Sequence, residues 1–308
     1  MNSFDIKRFG QTLRWVVSVN LRKMLLWFTG SVLAVFLGEI LFQQMNSYSG
    51  GPESMLHNFS QFLVLILIVV SLIMISSIVS SINEKRKREA FLMLPASNSE
   101  KYLSLVIYST FICIVCAFLA IVLGDSLRML AYWATDYRGP VYADGTQYYG
   151  CFDDVTGGQV YWWSSALPKM LNELTPEIVN KGYENYPTDL IVIQLLFIYG
   201  GILWVHSLYT LGGTLLRKYS FVGTSVLMLL IVTLFARIIK VTDWTLFHTQ
   251  WNWDSGSAVL ESYEIGTAGW VTAIAFLIFS VLNYWASFHI FKAFQLITNK
   301  WLNYDFHK

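Results

Sequence analysis

The residues of this sequence that could do chemistry are the ionisable ones set inside apolar runs. Glu39 stands in the run Met24–Phe42 and His206 in Leu190–Leu211; Arg237 and His289 come near the ends of Phe221–Ile239 and Trp270–Phe291. A charge held in hydrocarbon is costly and marks a functional position by default. The chemistry such a set suggests first is proton transfer, with histidine as carrier. At about 1.5 Å per residue, Glu39 sits about 20 Å from the inner surface, and both histidines within about 10 Å of it. A Glu39–histidine relay would therefore need water between them. Glu39 has Arg237 as a possible partner at the outer ends of the first and fifth runs. The alternative for each of the four is snorkelling to the nearest headgroups.

Enzyme chemistry finds little else to use. There is no H-E-x-x-H pair and no nucleophile elbow, and the five histidines (His57, His206, His248, His289, His307) have no metal-ligand spacing. Asp153 and Asp154 are the adjacent acids a membrane-embedded hydrolase or transferase would have to recruit. Cys113 and Cys116 lie in an apolar run and Cys151 is alone in a polar loop, so no disulfide framework is expected. No G-x-x-x-x-G-K-[ST] phosphate loop occurs. The sequence predicts no catalytic residue, no metal site and no cofactor of its own.

The elements that must position these groups are membrane spans. Hydrophobic residues make up 55% of the 308, aromatics 16% and charged residues 13%, against roughly 25% charged in a soluble domain. Net charge is +1, which offers no basic field for nucleic acid. A bilayer core takes about 20 apolar residues per helix. Six runs qualify: Met24–Phe42, Phe62–Val79, Tyr102–Leu123, Leu190–Leu211, Phe221–Ile239 and Trp270–Phe291. None shows the alternation of a barrel strand. The expected fold is an all-α integral membrane protein of six transmembrane helices, the first a retained signal anchor.

With the N-terminus inside, fifteen Lys and Arg fall on the inner side and six on the outer. That asymmetry places both termini in the cytoplasm. Residues 3–20 read as an amphipathic interfacial helix, with Ile6, Phe9, Leu13, Val16 and Val17 opposite Lys7, Arg8, Gln11 and Arg14. Two outer segments, 124–189 and 240–269, are rich in aromatics such as Trp133, Trp162, Trp163, Trp244 and Trp253, which suit an interfacial belt. Gly30, Ala34 and Gly38 form a small-xxx-small stripe, suited to packing within the chain or to a dimer seam.

Residues 80–101 form the distinctive inner segment. Lys85, Arg86, Lys87 and Arg88 fix its side of the membrane. Pro95 stops a helix and biases Leu94 away from helical geometry. Ser97, with Glu100 three residues on, is a capping box that starts the third span. A basic run, then Phe91–Leu94, then Leu94-Pro95-Ala96-Ser97 ahead of Glu100 and Lys101 resembles the connector between the second and third spans of type-2 ABC transporter permeases. An amphipathic leader, six spans and both ends inside resemble that family's layout. The chain departs from it in carrying its largest outer segment after the third span.

The resemblance implies a permease dimer, of like or unlike chains, working with a separate ATPase subunit that binds ATP. Leu94, Pro95, Ala96, Ser97, Glu100 and Lys101 would then be the coupling residues and export the direction of transport. The competing expectation is a non-transporting membrane sensor or assembly factor whose outer segment binds an envelope partner.

Overall fold

The computed structural model describes residues 4–46, 52–79, 82, 85–136, 150–152, 159–175, 188–216, 219–242, 244, 246–252 and 259–293. Asp153, Asp154, Arg217, Lys218, Trp253, His307 and the tail lysines, on which parts of the sequence reading rest, lie outside the described residues.

In chain order the elements are α1 (Ile6–Asn46), α2 (Pro52–Ser76), α3 (Lys85–Leu92), α4 (Asn98–Ile107) and a π-helical turn (Tyr108–Ile112). Then come α5 (Cys113–Ala134), β1 (Gly150–Phe152), β2 (Gln159–Tyr161), α6 (Leu167–Leu174) and α7 (Thr188–Leu215). The chain closes with α8 (Ser220–Thr242), β3 (Phe247–Asn252), β4 (Val259–Ile265) and α9 (Thr267–Lys292). Among the described residues, six helical stretches are long and apolar enough to cross a membrane: 6–41, 52–76, 98–134, 188–215, 220–242 and 267–292. The chain is an all-α membrane protein in architecture.

Two differences from the expected spans matter. The amphipathic stretch expected ahead of the first span is helical from Ile6 and continuous with that span, since α1 runs unbroken for 41 residues. No proline falls anywhere within it, so nothing in its sequence forces a break. The third span also ends at Ala134 rather than Leu123. Its extra turns carry Asp125 and Arg128, whose charges compensate each other and allow the helix to continue.

Contacts divide the chain into two compact units. One comprises residues 1–16, 72–109 and 182–308. Its centre is the pairing of α7 with α9. Phe197 and Trp204 pack on Phe276, at ring-centroid distances of 5.3 and 5.4 Å. A Cβ on Gly200 or Gly201 would stand 3.6 Å from the Phe276 side chain, an ordinary van der Waals contact. Polar pairs cross the same seam: Asn283 Nδ2 donates to Ser207 Oγ at 3.0 Å, and Thr214 Oγ1 to Ser287 Oγ at 3.1 Å. Such bonds hold helices together where lipid offers no hydrophobic drive between them.

α8 is held in this unit near its start. Gly212 faces Thr224 and Tyr209 OH meets Ser225 Oγ at 2.8 Å, while Ser220 Oγ donates to the Ser76 carbonyl at 2.9 Å. Beyond Ser225 no α8 residue is buried, and Leu229, Leu234 and Val241 are bare. β3 and β4 form an antiparallel hairpin pairing Phe247 with Ile265 through to Asn252 with Val259, with a bulge at Gln250/Trp251. It is tied to the start of α7 by Tyr263 OH, which donates to both Asp189 oxygens at 3.2 Å. Partial burial, then the Asp189 hydrogen bond and charge, hold the Tyr263 phenol above its usual pKa.

The other unit comprises residues 17–71 and 110–181. Val35, Met55, Leu56, Phe59, Leu63, Ile121, Trp162, Ala166 and Met170 form its core. α6 is pinned to α2 at its rim by Lys169 Nζ–Glu53 and His57 Nδ1–Glu173, each 3.2 Å. β1 and β2 pair antiparallel from Gly150↔Tyr161 to Phe152↔Gln159.

Candidate functional site

The connector folds as helix, turn, helix. α3 ends at Leu92, whose carbonyl accepts from Lys101 Nζ at 2.8 Å, so a cation satisfies an orphan group at the helix C-terminus. Pro95 sits at the corner of a tight turn in which Ala96 N donates to the Leu94 carbonyl at 2.8 Å. Ser97 has extended φ and ψ of −67° and 158° and caps α4. Glu100 N donates to Ser97 Oγ at 3.3 Å, and Ser97 N donates to Glu100 Oε2 at 2.8 Å, a complete capping box.

Glu100 does more than close that box. Its second oxygen, Oε1, accepts from Asp5 N at 2.7 Å and from Arg8 Nη2 at 3.1 Å. Asp5 meanwhile caps the start of α1, where Lys7 N donates to its Oδ1 at 2.8 Å. Phe4 and Phe9 close over this end, 5.6 Å between rings, as a hydrophobic staple. One buried carboxylate thus joins the first turns of α1 and α4, and charge-assisted bonds of this kind are the stronger ones. Behind the clasp the fully buried Phe91 packs on Trp15 and Phe291, at 5.7 and 6.4 Å.

The connector residues therefore face two ways. Met93 is 84% exposed, and Pro95, Asn98, Ser99 and Arg86 also lie on the surface. Leu94, Ala96, Ser97 and Lys87 are half-buried, and Glu100, Lys101 and Arg88 are buried. The side chain of Lys85 lies outside the described residues. The basic run is therefore not a uniform charged face.

A second constellation lies in the other unit. Arg128 Nε and Nη2 donate to Asp125 Oδ1 at 3.2 and 2.6 Å. Nη1 donates to the Trp162 carbonyl at 3.2 Å, and Nη2 also donates to the Ser164 carbonyl at 2.6 Å. Ser165 Oγ donates to Asp125 Oδ2 at 2.6 Å. Phe59 and Tyr132 place their rings 5.3 and 5.5 Å from the guanidinium carbon, within cation–π range. Glu39 Oε2 lies 3.1 Å from Arg128 Nε. Glu39, Asp125 and Arg128 are all fully buried.

Arg128, three positions from Asp125 on the same helix, is thus the cation beside Glu39. Arg237, the partner suggested by sequence, is exposed on α8. His206 Nδ1 is hydrogen-bonded to Tyr284 OH, and His289 stacks on Trp285 at 5.6 Å. Among the described residues Gly38 packs on the Phe62 ring, whereas Gly30 has nothing within 4 Å of a built Cβ and Ala34 is exposed, so one end of the small-residue stripe packs against them. The aromatics expected at an outer interface divide: Trp162 is core, Trp163 stacks with Tyr161 at 4.8 Å, and Trp133 is 72% exposed. Among the described residues no group of three or more His, Cys, Asp or Glu could hold a metal.

Asp5, Arg8, Asp125, Arg128 and Ser165 are the site residues that sequence reasoning missed. A signal existed for one pair alone, Asp125 and Arg128 at i,i+3. No family model, no curated protein and no solved structure matches the chain.

Proposed function

We propose that the chain is the membrane-spanning permease subunit of an ATP-driven transporter of the type-2 ABC kind. It would be paired with a second permease chain and coupled through its connector to a separate ATPase. The observation that carries this reading is the construction of the connector. A short helix–turn–helix presents Met93 and Pro95 outward, while Glu100 fastens its base to the start of α1. An element built this way passes a push on its tip to two span-forming helices through charged hydrogen bonds rather than through a flexible loop.

In this reading both termini face the cytoplasm of a bacterial inner membrane, the ATPase binds below the turn, and export is the direction. The experiment is affinity capture of the tagged chain from membranes, with ATP hydrolysis measured for wild type and for Pro95→Ala and Glu100→Ala. The expected result is a co-purifying polypeptide with a phosphate loop, and hydrolysis that the variants uncouple from transport. Capture of an envelope protein with no ATPase would replace this reading with that of a sensor or assembly factor.

A further inference from the structure

Charges in the outer cluster do not balance. Glu39 and Asp125 share one guanidinium, that of Arg128, and all three side chains are fully buried. Of the five guanidinium N–H groups, the Nε hydrogen and one on Nη2 go to Asp125, the other on Nη2 goes to the Ser164 carbonyl and one on Nη1 to the Trp162 carbonyl. Glu39 Oε2 is 3.1 Å from Nε, yet among the described residues neither Glu39 oxygen has a hydrogen-bond partner. The shortfall follows from the Nε–H being spent on Asp125.

No other cation in the unit's described residues relieves it. From α5 the cluster meets Asp125, Arg128 and Tyr132; from α2 it meets Phe59; from the outer segment it meets Ser165 and two backbone carbonyls. α2 also sends Phe62 against Gly38, beside Glu39. The remaining ionisable groups of α2 and α6 pair at the rim, Lys169 with Glu53 and His57 with Glu173. Were all three cluster groups ionised, one surplus negative charge would be buried without a hydrogen bond. A carboxylate in that position takes up a proton rather than bear the cost of its charge.

We infer that Glu39 is a proton-binding site, and that its proton is the ligand that lets Arg128 hold the outer segment at Trp162 and Ser164. With the proton bound the cluster is neutral and Asp125 has Arg128 to itself. Loss of the proton sets two carboxylates against one guanidinium, and Glu39 then competes for the hydrogens that fix Asp125 and the two carbonyls. Proton occupancy and the packing of residues 161–166 are one equilibrium. The inference stands whether or not an ATPase partner exists.

The test is infrared spectroscopy of the full chain in lipid nanodiscs at neutral pH, where ordinary carboxyls are ionised and give no acid carbonyl band. Wild type should show such a band. It should move when glutamate side-chain carboxyls carry ¹³C, stay when aspartate carboxyls do, and vanish in Glu39→Gln. Asp125→Asn should also lose it, because Glu39 can then ionise against Arg128. Absence of the band in wild type, its persistence in Glu39→Gln, or its movement with aspartate labelling would each overturn the inference. So would failure of Glu39→Gln to assemble, since the amide imitates the neutral acid.

Discussion

Gly213 faces the Ser76 carbonyl so closely that a Cβ on Gly213 would stand 2.5 Å from the oxygen. Neighbouring Gly212 meets Thr224 with even less room, a built Cβ falling 1.5 Å from the Thr224 methyl. The two glycines let α7 approach the end of α2 on one side and the start of α8 on the other.

Gly213→Ala should therefore destabilise the protein by about 1–3 kcal/mol, the usual range for overpacking. Its obstacle is backbone, which cannot rotate away. Gly30→Ala is the control: nothing lies within 4 Å of its Cβ, and in mid-helix it should gain about 0.5–1 kcal/mol. Thermal unfolding in detergent compares them. Equal melting points would mean that the approach of Gly213 to Ser76 is not close.

Removing the cap and removing the clasp should differ. Ser97→Ala loses one capping bond, worth about 1 kcal/mol, and leaves Glu100 bonded to Asp5 and Arg8. Glu100→Ala also frees the start of α1. Trypsin should then cut after Lys7 and Arg8 faster in Glu100→Ala than in Ser97→Ala. Matching cleavage rates would argue that the N-terminal turn is held by other contacts.

Arg128→Met leaves Glu39 and Asp125 facing each other and withdraws the donors to Trp162 and Ser164. Breaking a buried pair from one side costs about 3–5 kcal/mol. Adding Asp125→Asn to Arg128→Met should recover part of the loss, giving a clear coupling term in a double-mutant cycle. Additive costs would show that the two groups do not interact.

The orientation has a direct readout at Met93, 84% exposed at the connector's tip. With Cys113, Cys116 and Cys151 replaced by serine, Met93→Cys should react with a membrane-impermeant thiol reagent in inside-out vesicles and not in intact cells. The reverse pattern would invert the topology.

The spans were legible in the sequence because length and apolarity alone define them. The capping box was legible because its partners are three residues apart and both bonds are local. The clasp was not, since Glu100 meets residues more than ninety positions away with nothing local to announce them. What the apolar stripe at the start of α1 meets was not legible: Val16 from that stripe is buried together with Thr12 and Asn20 at four-residue spacing, while Ile6 is 76% exposed. Facing lipid, the outside of a span can be its oiliest side, and polar residues belong at helix contacts. Arg128 escaped notice because a charge past the apolar run was assigned to a loop.

α8 shows how unevenly meaning is distributed along such a helix. Its first turns, from Ser220 to Ser225, make the bonds and close approaches that fix it, while the rest shows bare aliphatic surface. Past Ser225 its text could be rewritten in almost any apolar alphabet, whereas a one-letter misprint at Thr224 would be read by the whole fold.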